Sequence, residues 1–114
     1  MLKPEVLRRK SDFSAIYKKG KSVGEKYVVL FYKKNDLTYN RTAFLASKKV
    51  GNSIRRNRAR RLMKESYREI KDNLAESYDF IFIARNTICN SKCADVKKSM
   101  EAAIKKAKLR KWER

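Results

Sequence analysis

The stretch that organises this chain occupies residues 48–71 and reads KKVGNSIRRNRARRLMKESYREIK. It contains ten lysines or arginines and only two glutamates, so it lacks the balanced charge of an ordinary surface helix. Asn52 and Ser53 are favoured N-cap residues, and both follow the flexible Gly51. A helix that begins there and turns by about 100° per residue separates the stretch into two distinct faces.

One face of this predicted helix is apolar and the opposite face is cationic. The apolar stripe consists of Ala59, Leu62, Met63, Ser66, Tyr67, Ile70 and Leu74. The cationic side consists of Asn57, Arg60, Arg61, Lys64, Arg68 and Lys71. We therefore expect the stripe to pack in the core and the other side to meet an anionic partner.

Arg56 lies at the edge of the stripe, in the first turn of the predicted helix. Unpaired backbone N–H groups and the helix dipole make that position favourable for an anion. The closely spaced arginines around it repel one another, and a phosphate backbone would relieve the repulsion. A merely solvated basic face is the alternative, but the density and one-sided placement of the cations favour ligand binding.

Composition points to one nucleic-acid-binding domain. The 114 residues, 42% of them hydrophobic, suffice for a single modest core. Thirty-one basic residues against twelve acidic ones give a net charge of +19, more than solubility requires. A membrane surface could also attract this charge, but it would need a spare apolar helix face, and no segment has the length of a bilayer span. We expect a cytoplasmic protein without a membrane partner.

The sequence offers little for catalysis by the polypeptide itself. It has no histidine and only two cysteines, Cys89 and Cys93, whereas a structural zinc site normally takes four such ligands. The acidic residues are scattered, without a paired cluster for metal-dependent hydrolysis. We therefore expect no catalytic residue, no metal ligand and no cofactor bound by the protein alone, and two reduced thiols.

The remaining elements are predicted in chain order. Residues 1–10 read as a flexible basic arm, and residues 12–19 as a helix that Ser11 caps and Gly20 ends. Strands are predicted at 27–32 and 41–47, antiparallel to each other, and at 78–85, in the centre of the sheet. A last helix begins near Ser91, and residues 109–114 read as a frayed tail. The order α-β-β-α-β-α indicates a single-domain α/β sandwich.

Two features of these elements suggest a second binding surface. Phe13 and Tyr17 stand four residues apart on the first helix, so their rings share a face. They are either core residues or a stacking platform for unpaired bases. The strand at 27–32 is apolar or aromatic on both faces, so helices or a ligand should cover both.

Three groups of residues in the central stretch form a recognisable pattern: SKKVGN at residues 47–52, the arginine-asparagine-arginine motif Arg56-Asn57-Arg58, and Arg61 with Leu62. With this pattern the chain resembles the protein subunit of bacterial ribonuclease P. The resemblance extends to DF at 12–13, YKKG at 17–20 and residues 79–85, and covers about residues 9–104. Two positions depart from the family, which often has phenylalanine at Tyr17 and glycine at Ala43.

The resemblance implies a mostly antiparallel central sheet with a left-handed β-α-β crossover. It also implies a holoenzyme in which a catalytic RNA, with magnesium ions held at that RNA, removes the 5′ leader of precursor tRNA to form the mature 5′ end. The protein would bind both RNAs. The implied leader cleft consists of Phe13, Tyr17, Phe31, Ser47 and Arg56. The implied surface for the catalytic RNA consists of Lys48, Lys49, Asn57, Arg58, Arg60, Arg61, Lys64 and Arg68.

Three other functions fit parts of the same sequence. A ribosomal or general RNA-binding protein would explain the charge without any leader specificity. A DNA-binding regulator would place the basic helix in the major groove, although no preceding helix and short turn are evident. A nuclease made of protein alone is the third. The class of the catalytic RNA, the nucleotides preferred in the leader and self-association stay open.

Overall fold

The structure, a computed structural model, describes residues 3–113. Met1, Leu2 and Arg114, which belong to the predicted arm and tail, lie outside the described residues. The elements in chain order are α1 (Lys10–Lys19), β1 (Lys21–Gly24), β2 (Val28–Lys34), β3 (Arg41–Leu45), α2 (Ser53–Ile70), β4 (Tyr78–Ala84) and α3 (Cys93–Lys106). Short 3-10 turns follow α2, β4 and α3, at Lys71–Asn73, Asn86–Asn90 and Lys111–Glu113.

The four strands form one mixed sheet in the order β1-β2-β4-β3. The predicted α/β sandwich is confirmed, and the strand at 78–85 does lie inside the sheet. The predicted antiparallel pairing of β2 with β3 is wrong, because β4 lies between them and pairs antiparallel with β2 and parallel with β3. Since β4 is buried at six of its seven positions, pairing on both edges satisfies the backbone of the strand that water cannot reach. The hand of the β3-α2-β4 crossover stays a prediction.

Strand β1 was not predicted from the sequence. Its residues, KSVG, are mostly exposed and lack an apolar run. It forms because a tight turn, closed by a 2.9 Å bond from Glu25 N to Val28 O, folds it back on β2. An edge strand of this kind is held by its hydrogen bonds to a neighbour rather than by burial.

Helix α2 follows the prediction closely. The Asn52 side chain accepts a hydrogen bond from Arg55 N at 3.0 Å, so it caps the helix that begins at Ser53. Gly51 precedes this cap with φ of 139°, and a Cβ there would lie 2.6 Å from Arg55 Cδ. The predicted stripe is buried at Ala59, Leu62, Met63, Ser66, Ile70 and Leu74, with Tyr67 half-buried.

The main core lies between the sheet and helices α2 and α3. It includes Val28 and Leu30 of β2 and Phe80 and Phe82 of β4, all fully buried. Helix α3 contributes Val96, Met100, Ala103 and Ile104, and it begins at Cys93, close to the predicted start near Ser91. This layer contains most of the buried apolar side chains, and their removal from water stabilises the fold.

Helix α1 covers part of the opposite sheet face. It begins at Lys10, two residues before the predicted start, and ends at Lys19, just before Gly20, as predicted. Gly20 is required there because a Cβ would lie 2.5 Å from the carbonyl oxygens of Ile16 and Tyr32. Its buried Ile16 packs with Leu7, Ala43 and Ile81 in a second, much smaller cluster.

The two ends of the described chain contact the fold more than the sequence indicated. Leu7 is buried, and Leu7 N donates to Thr42 O while Thr42 N donates to Glu5 O. At the other end Leu109 is fully buried, and its carbonyl accepts a 2.7 Å bond from Ala75 N. The mobility of the arm and the fraying of the tail stay predictions, but residues 5–7 and 109 are part of the packed structure. Within residues 3–113, none of the helices has both the length and the apolar character that a bilayer span requires.

Candidate nucleic-acid interface

The sheet face beneath α1 is only partly covered. Strand alternation and register place three rows of side chains across this face, the first of them formed by Lys33, Asp79 and Arg41. Phe31, Ile81 and Ala43 form the middle row, which α1 covers. Val29, Ile83 and Leu45 form the next row toward the carboxyl end of β3, and all three are half-buried. The result is a shallow apolar floor that continues from the edge of α1.

Three aromatic rings meet where α1 crosses this floor. The ring centroids of Tyr17 and Phe31 are 5.0 Å apart in an edge-to-face arrangement, and those of Phe13 and Tyr17 are 6.5 Å apart. Phe13 and Phe31 are half-buried, and Tyr17 is 43% exposed. Partial burial raises the pKa of the Tyr17 phenol above its ordinary value. The rings are therefore fixed by contact with one another but still open to a ligand.

An ion-pair network fixes α1 to the sheet at its other end. Arg41 of β3 donates to both carboxylate oxygens of Asp79 of β4, from Nε at 2.9 Å and from Nη2 at 2.7 Å. Arg41 Nη1 also donates to Asp12 of α1 at 3.2 Å, and the Asn35 amide donates to Asp79 at 2.9 Å. The hydrogen bond to Asp79 is the largest cause of the raised pKa of Arg41. This clamp sits immediately beside Phe13 and so sets the position of the aromatic rings.

Ser47 and Arg56 belong to the part of the chain that passes from the carboxyl end of β3 into α2. Ser47 is exposed, two residues beyond Leu45, and its hydroxyl accepts from Lys49 N at 3.3 Å. Arg56 is half-buried in the first turn of α2, with one Nη donating to Ser53 Oγ at 3.3 Å. Its Nε is shielded from solvent and has no hydrogen-bond partner among the described residues. A buried donor without an acceptor is a place for a ligand oxygen.

The exposed side of α2 is cationic over most of its length. Arg61, Lys64, Arg68 and Lys71 are exposed, and Arg60 is half-buried. Asn57, also exposed, accepts a short hydrogen bond from Arg60 through its side-chain oxygen. Lys48 and Lys49 are exposed in the turn that precedes the helix. From Asn57 to Lys71 this row of side chains extends for about 20 Å along the axis.

Arg58 differs from the other predicted RNA-binding arginines. Its two Nη groups donate to the backbone carbonyls of Cys89 and Ser91, at 3.2 and 2.9 Å. These carbonyls belong to the segment between β4 and α3, so Arg58 ties that segment to α2. Its RNA-binding role stays a prediction, but these guanidinium donors already have partners within the protein.

The structure adds features that sequence reasoning missed. The Arg41 clamp joins residues 29 to 67 positions apart, and no local pattern connects them. A groove of about 810 Å³ also runs between the amino-terminal segment, β3 and the carboxyl half of α2, where Lys64 and Arg68 line it. Among residues 3–113, no three or more histidine, cysteine, aspartate or glutamate side chains come together as a metal site.

Known proteins match this chain over most of its length. The family model described as Ribonuclease P matches residues 1–108. The ribonuclease P protein component of Caldanaerobacter subterraneus subsp. tengcongensis is 38% identical over 103 residues, which cover 90% of this chain and 89% of that protein. The corresponding protein of Clostridioides difficile is 41% identical over 104 residues, covering 90% and 91%.

Solved structures agree in three dimensions. The Staphylococcus aureus RNase P protein superposes with a TM-score of 0.84 at 30% identity, covering 94% of this chain and 98% of that one. The Thermotoga maritima RNase P protein gives 0.80 at 28% identity, covering 90% and 96%. Fold and interface together define a single-domain α/β protein of the nucleic-acid-binding class. The chain belongs to the ribonuclease P protein family. It is thus a protein subunit of an RNA-catalysed endoribonuclease, and its partner is the ribonuclease P RNA.

Proposed function

We propose that this protein binds two RNA segments on two adjoining surfaces. The leader cleft, formed by Phe13, Tyr17, Phe31, Ser47 and Arg56, takes the single-stranded 5′ leader of precursor tRNA. The cationic side of α2, which begins with the arginine-asparagine-arginine motif, takes the catalytic RNA. Removal of the leader is then carried out by that RNA with its magnesium ions, and the protein selects and positions the substrate.

The observation that carries the leader proposal is the half-open aromatic floor beneath α1. Three touching rings and an apolar row remain partly exposed in a protein that buries the centre of its other sheet face. Unpaired bases stack on such rings with little dependence on sequence, at about 1–3 kcal/mol for each base. Only a precursor has a leader, so this energy discriminates precursor from mature tRNA.

The positive charge of Arg56 also supports the leader proposal. Its shielded Nε is a free donor at a helix N-terminus, next to the exposed Ser47 and the lysines at 48 and 49. A leader phosphate supplies the missing acceptor and benefits from the positive end of the helix dipole. The cleft would thus hold bases on its floor and a phosphate at its end.

The cationic side of α2 suits a folded RNA rather than a single strand. A straight row of about 20 Å presents like charges that repel until phosphates lie between them. Binding should therefore depend steeply on salt, because neutralised phosphates release counterions. The same charge lowers the repulsion between catalytic RNA and precursor tRNA, and with it the concentration of divalent ions needed for assembly.

The test compares precursor and mature tRNA binding by the reconstituted holoenzyme. Replacing Tyr17 with alanine, alone and together with Phe13→Ala, should weaken precursor binding by about 5- to 150-fold for each lost stacked base. Mature tRNA binding should stay nearly unchanged. Tyr39→Ala is a matched control, since Tyr39 is 38% exposed outside the cleft. Equal losses for precursor and mature tRNA would indicate a general RNA-binding protein without leader specificity.

A further inference from the structure

Trp112 is the only tryptophan of the chain, and it is 65% exposed. Tryptophan combines a large apolar ring with a polar N–H, and it is enriched at binding interfaces. The guanidinium carbon of Arg110 lies 4.9 Å from the centre of its ring, in a cation–π contact. Neither residue belongs to the leader cleft or to the cationic side of α2.

The segment that carries Trp112 is anchored rather than loose. Leu109 is fully buried beneath it, and Ala75 N donates to Leu109 O at 2.7 Å. Leu74 and Arg110 form an isolated antiparallel bridge. These contacts hold the tail beside the end of α2, so the ring has a defined place on the surface.

The ring stands at the mouth of a pocket of about 340 Å³. Apolar side chains from both neighbouring helices line it, among them Ile70 of α2 and Ile104 of α3. Lys98, Lys105 and Arg110 surround it against a single acid, Glu101. A flat apolar group that carries negative charge close by fits this combination, and a nucleotide has that chemistry.

The pocket also continues the surface already assigned to RNA. Ile70 at the end of α2 and Asn73 of the following 3-10 turn line it. Lys71, the last cation of the α2 row, lies between these two residues in the sequence, so an RNA that binds along this row reaches the helix end at which the pocket lies. The position favours the ribonuclease P RNA as occupant over a leader, which would lie on the opposite sheet face.

We infer that an unpaired nucleotide of the ribonuclease P RNA stacks on Trp112, with its phosphates near Lys98, Lys105 and Arg110. This inference rests on the proposed contact between α2 and the catalytic RNA, which it extends beyond the end of the helix. It assigns the carboxyl-terminal segment a specific part in assembly of the holoenzyme.

The test uses the fluorescence of the full-length protein with excitation selective for its only tryptophan. Titration with ribonuclease P RNA should quench the emission in a saturable manner, with a midpoint equal to the dissociation constant of the complex. Leader oligonucleotide and mature tRNA should leave the emission unchanged. Emission that is constant at saturating ribonuclease P RNA would overturn the inference while leaving the proposed function intact, because binding itself is measured independently.

Substitutions separate stacking from charge. Trp112→Ala should lower affinity for the ribonuclease P RNA by about 5- to 150-fold without changing the salt dependence, because the side chain is neutral. Trp112→Phe should restore most of that affinity. Lys98→Gln with Lys105→Gln should instead reduce the slope of log K against log salt. Wild-type affinity in Trp112→Ala, or an emission that changes with protein concentration alone, would contradict RNA stacking, the latter in favour of a second copy of the chain.

Discussion

The two faces of the sheet share one backbone but are covered very differently. On one face Val28, Leu30, Phe80 and Phe82 are fully buried beneath α2 and α3, which have 18 and 14 residues. On the other, α1 has only ten residues and leaves the row through Ile83 half-exposed. The first face is used to hold the protein together, and the second keeps apolar and aromatic surface available for a partner.

This difference also explains why the open face does not collapse. A small cluster around Ile16 and Ile81 seals the middle of the face, and the Arg41 clamp holds α1 there. Helix α1 therefore cannot slide to cover the remaining row without breaking the bond between Arg41 and Asp12. A surface that is apolar, exposed and rigid at once is what a stacking site needs.

The largest expected effect separates the two faces by stability. Phe82→Ala removes a ring stacked 5.8 Å from Phe44, and it should lower the free energy of unfolding by about 3–5 kcal/mol. Phe31→Ala, on the open face, should cost clearly less because water already reaches that ring. Urea unfolding of both variants checks this, and equal losses would mean that the faces are not different in kind.

The clamp gives the next effect. Arg41→Met should lower the free energy of unfolding by about 3 kcal/mol, because it leaves the buried Asp79 carboxylate without its charged partner. It should also reduce the preference of the holoenzyme for precursor over mature tRNA, since α1 loses its anchor. Asp12→Asn breaks only the more exposed arm of the network and should cost much less stability, but it removes the bond that reaches α1 and should reduce the preference to a similar extent. An Arg41→Met variant with a normal preference would show that the clamp does not position the cleft.

Two arginines of α2 differ in the same way, because Arg58 is bonded within the protein and Arg61 is exposed. Arg58→Ala removes two bonds to backbone carbonyls and should cost about 1.5 kcal/mol of unfolding free energy. Arg61→Ala should leave stability nearly unchanged but weaken binding of the ribonuclease P RNA and reduce its salt slope by about one. Thermal unfolding and filter binding at several salt concentrations measure both. The reverse pattern would exchange their roles.

The smallest effect appears only in alkali and compares a tyrosine from each face. Burial raises the pKa of Tyr67, which packs on Phe44 and Phe82, to about 12, and raises that of Tyr17 less. Unfolding releases the Tyr67 proton at its ordinary pKa, so this contribution to stability is complete below pH 10 and is lost as pH rises toward 12.

Between pH 8 and about pH 11, the wild-type protein should lose about 1 kcal/mol more of its unfolding free energy than Tyr67→Phe does, because the variant has no phenol to ionise. Tyr17→Phe should show a smaller change. Urea unfolding at both pH values checks this, and identical curves for the two variants would contradict the difference in burial.

The local parts of the fold could be predicted, because their signals lie within one helix or one turn. The start of α2 follows from Asn52 and Gly51, and its stripe from a simple period. The placement of β4 between β2 and β3 could not be predicted, because it depends on a parallel pairing across an 18-residue helix. Strand β1 escaped prediction because its polar residues carry no apolar signal.

The candidate site divides in the same way. The pairing of Phe13 with Tyr17 was evident from their spacing, but the contact of Tyr17 with Phe31 depends on how α1 crosses the sheet. Arg58 was grouped with the RNA-binding cations because its partners, the carbonyls of Cys89 and Ser91, lie more than thirty positions away. Sequence period assigns a side chain to a helix face, but only packing shows which donors are already occupied.

The central claim is that the open sheet face receives the leader. It is tested most directly by photo-crosslinking the holoenzyme to a precursor tRNA that carries 4-thiouridine in its leader, followed by mass spectrometry of the protein peptides. The account predicts crosslinks to Phe13, Tyr17 or Phe31. Crosslinks confined to α3 or to the exposed side of α2 would contradict it.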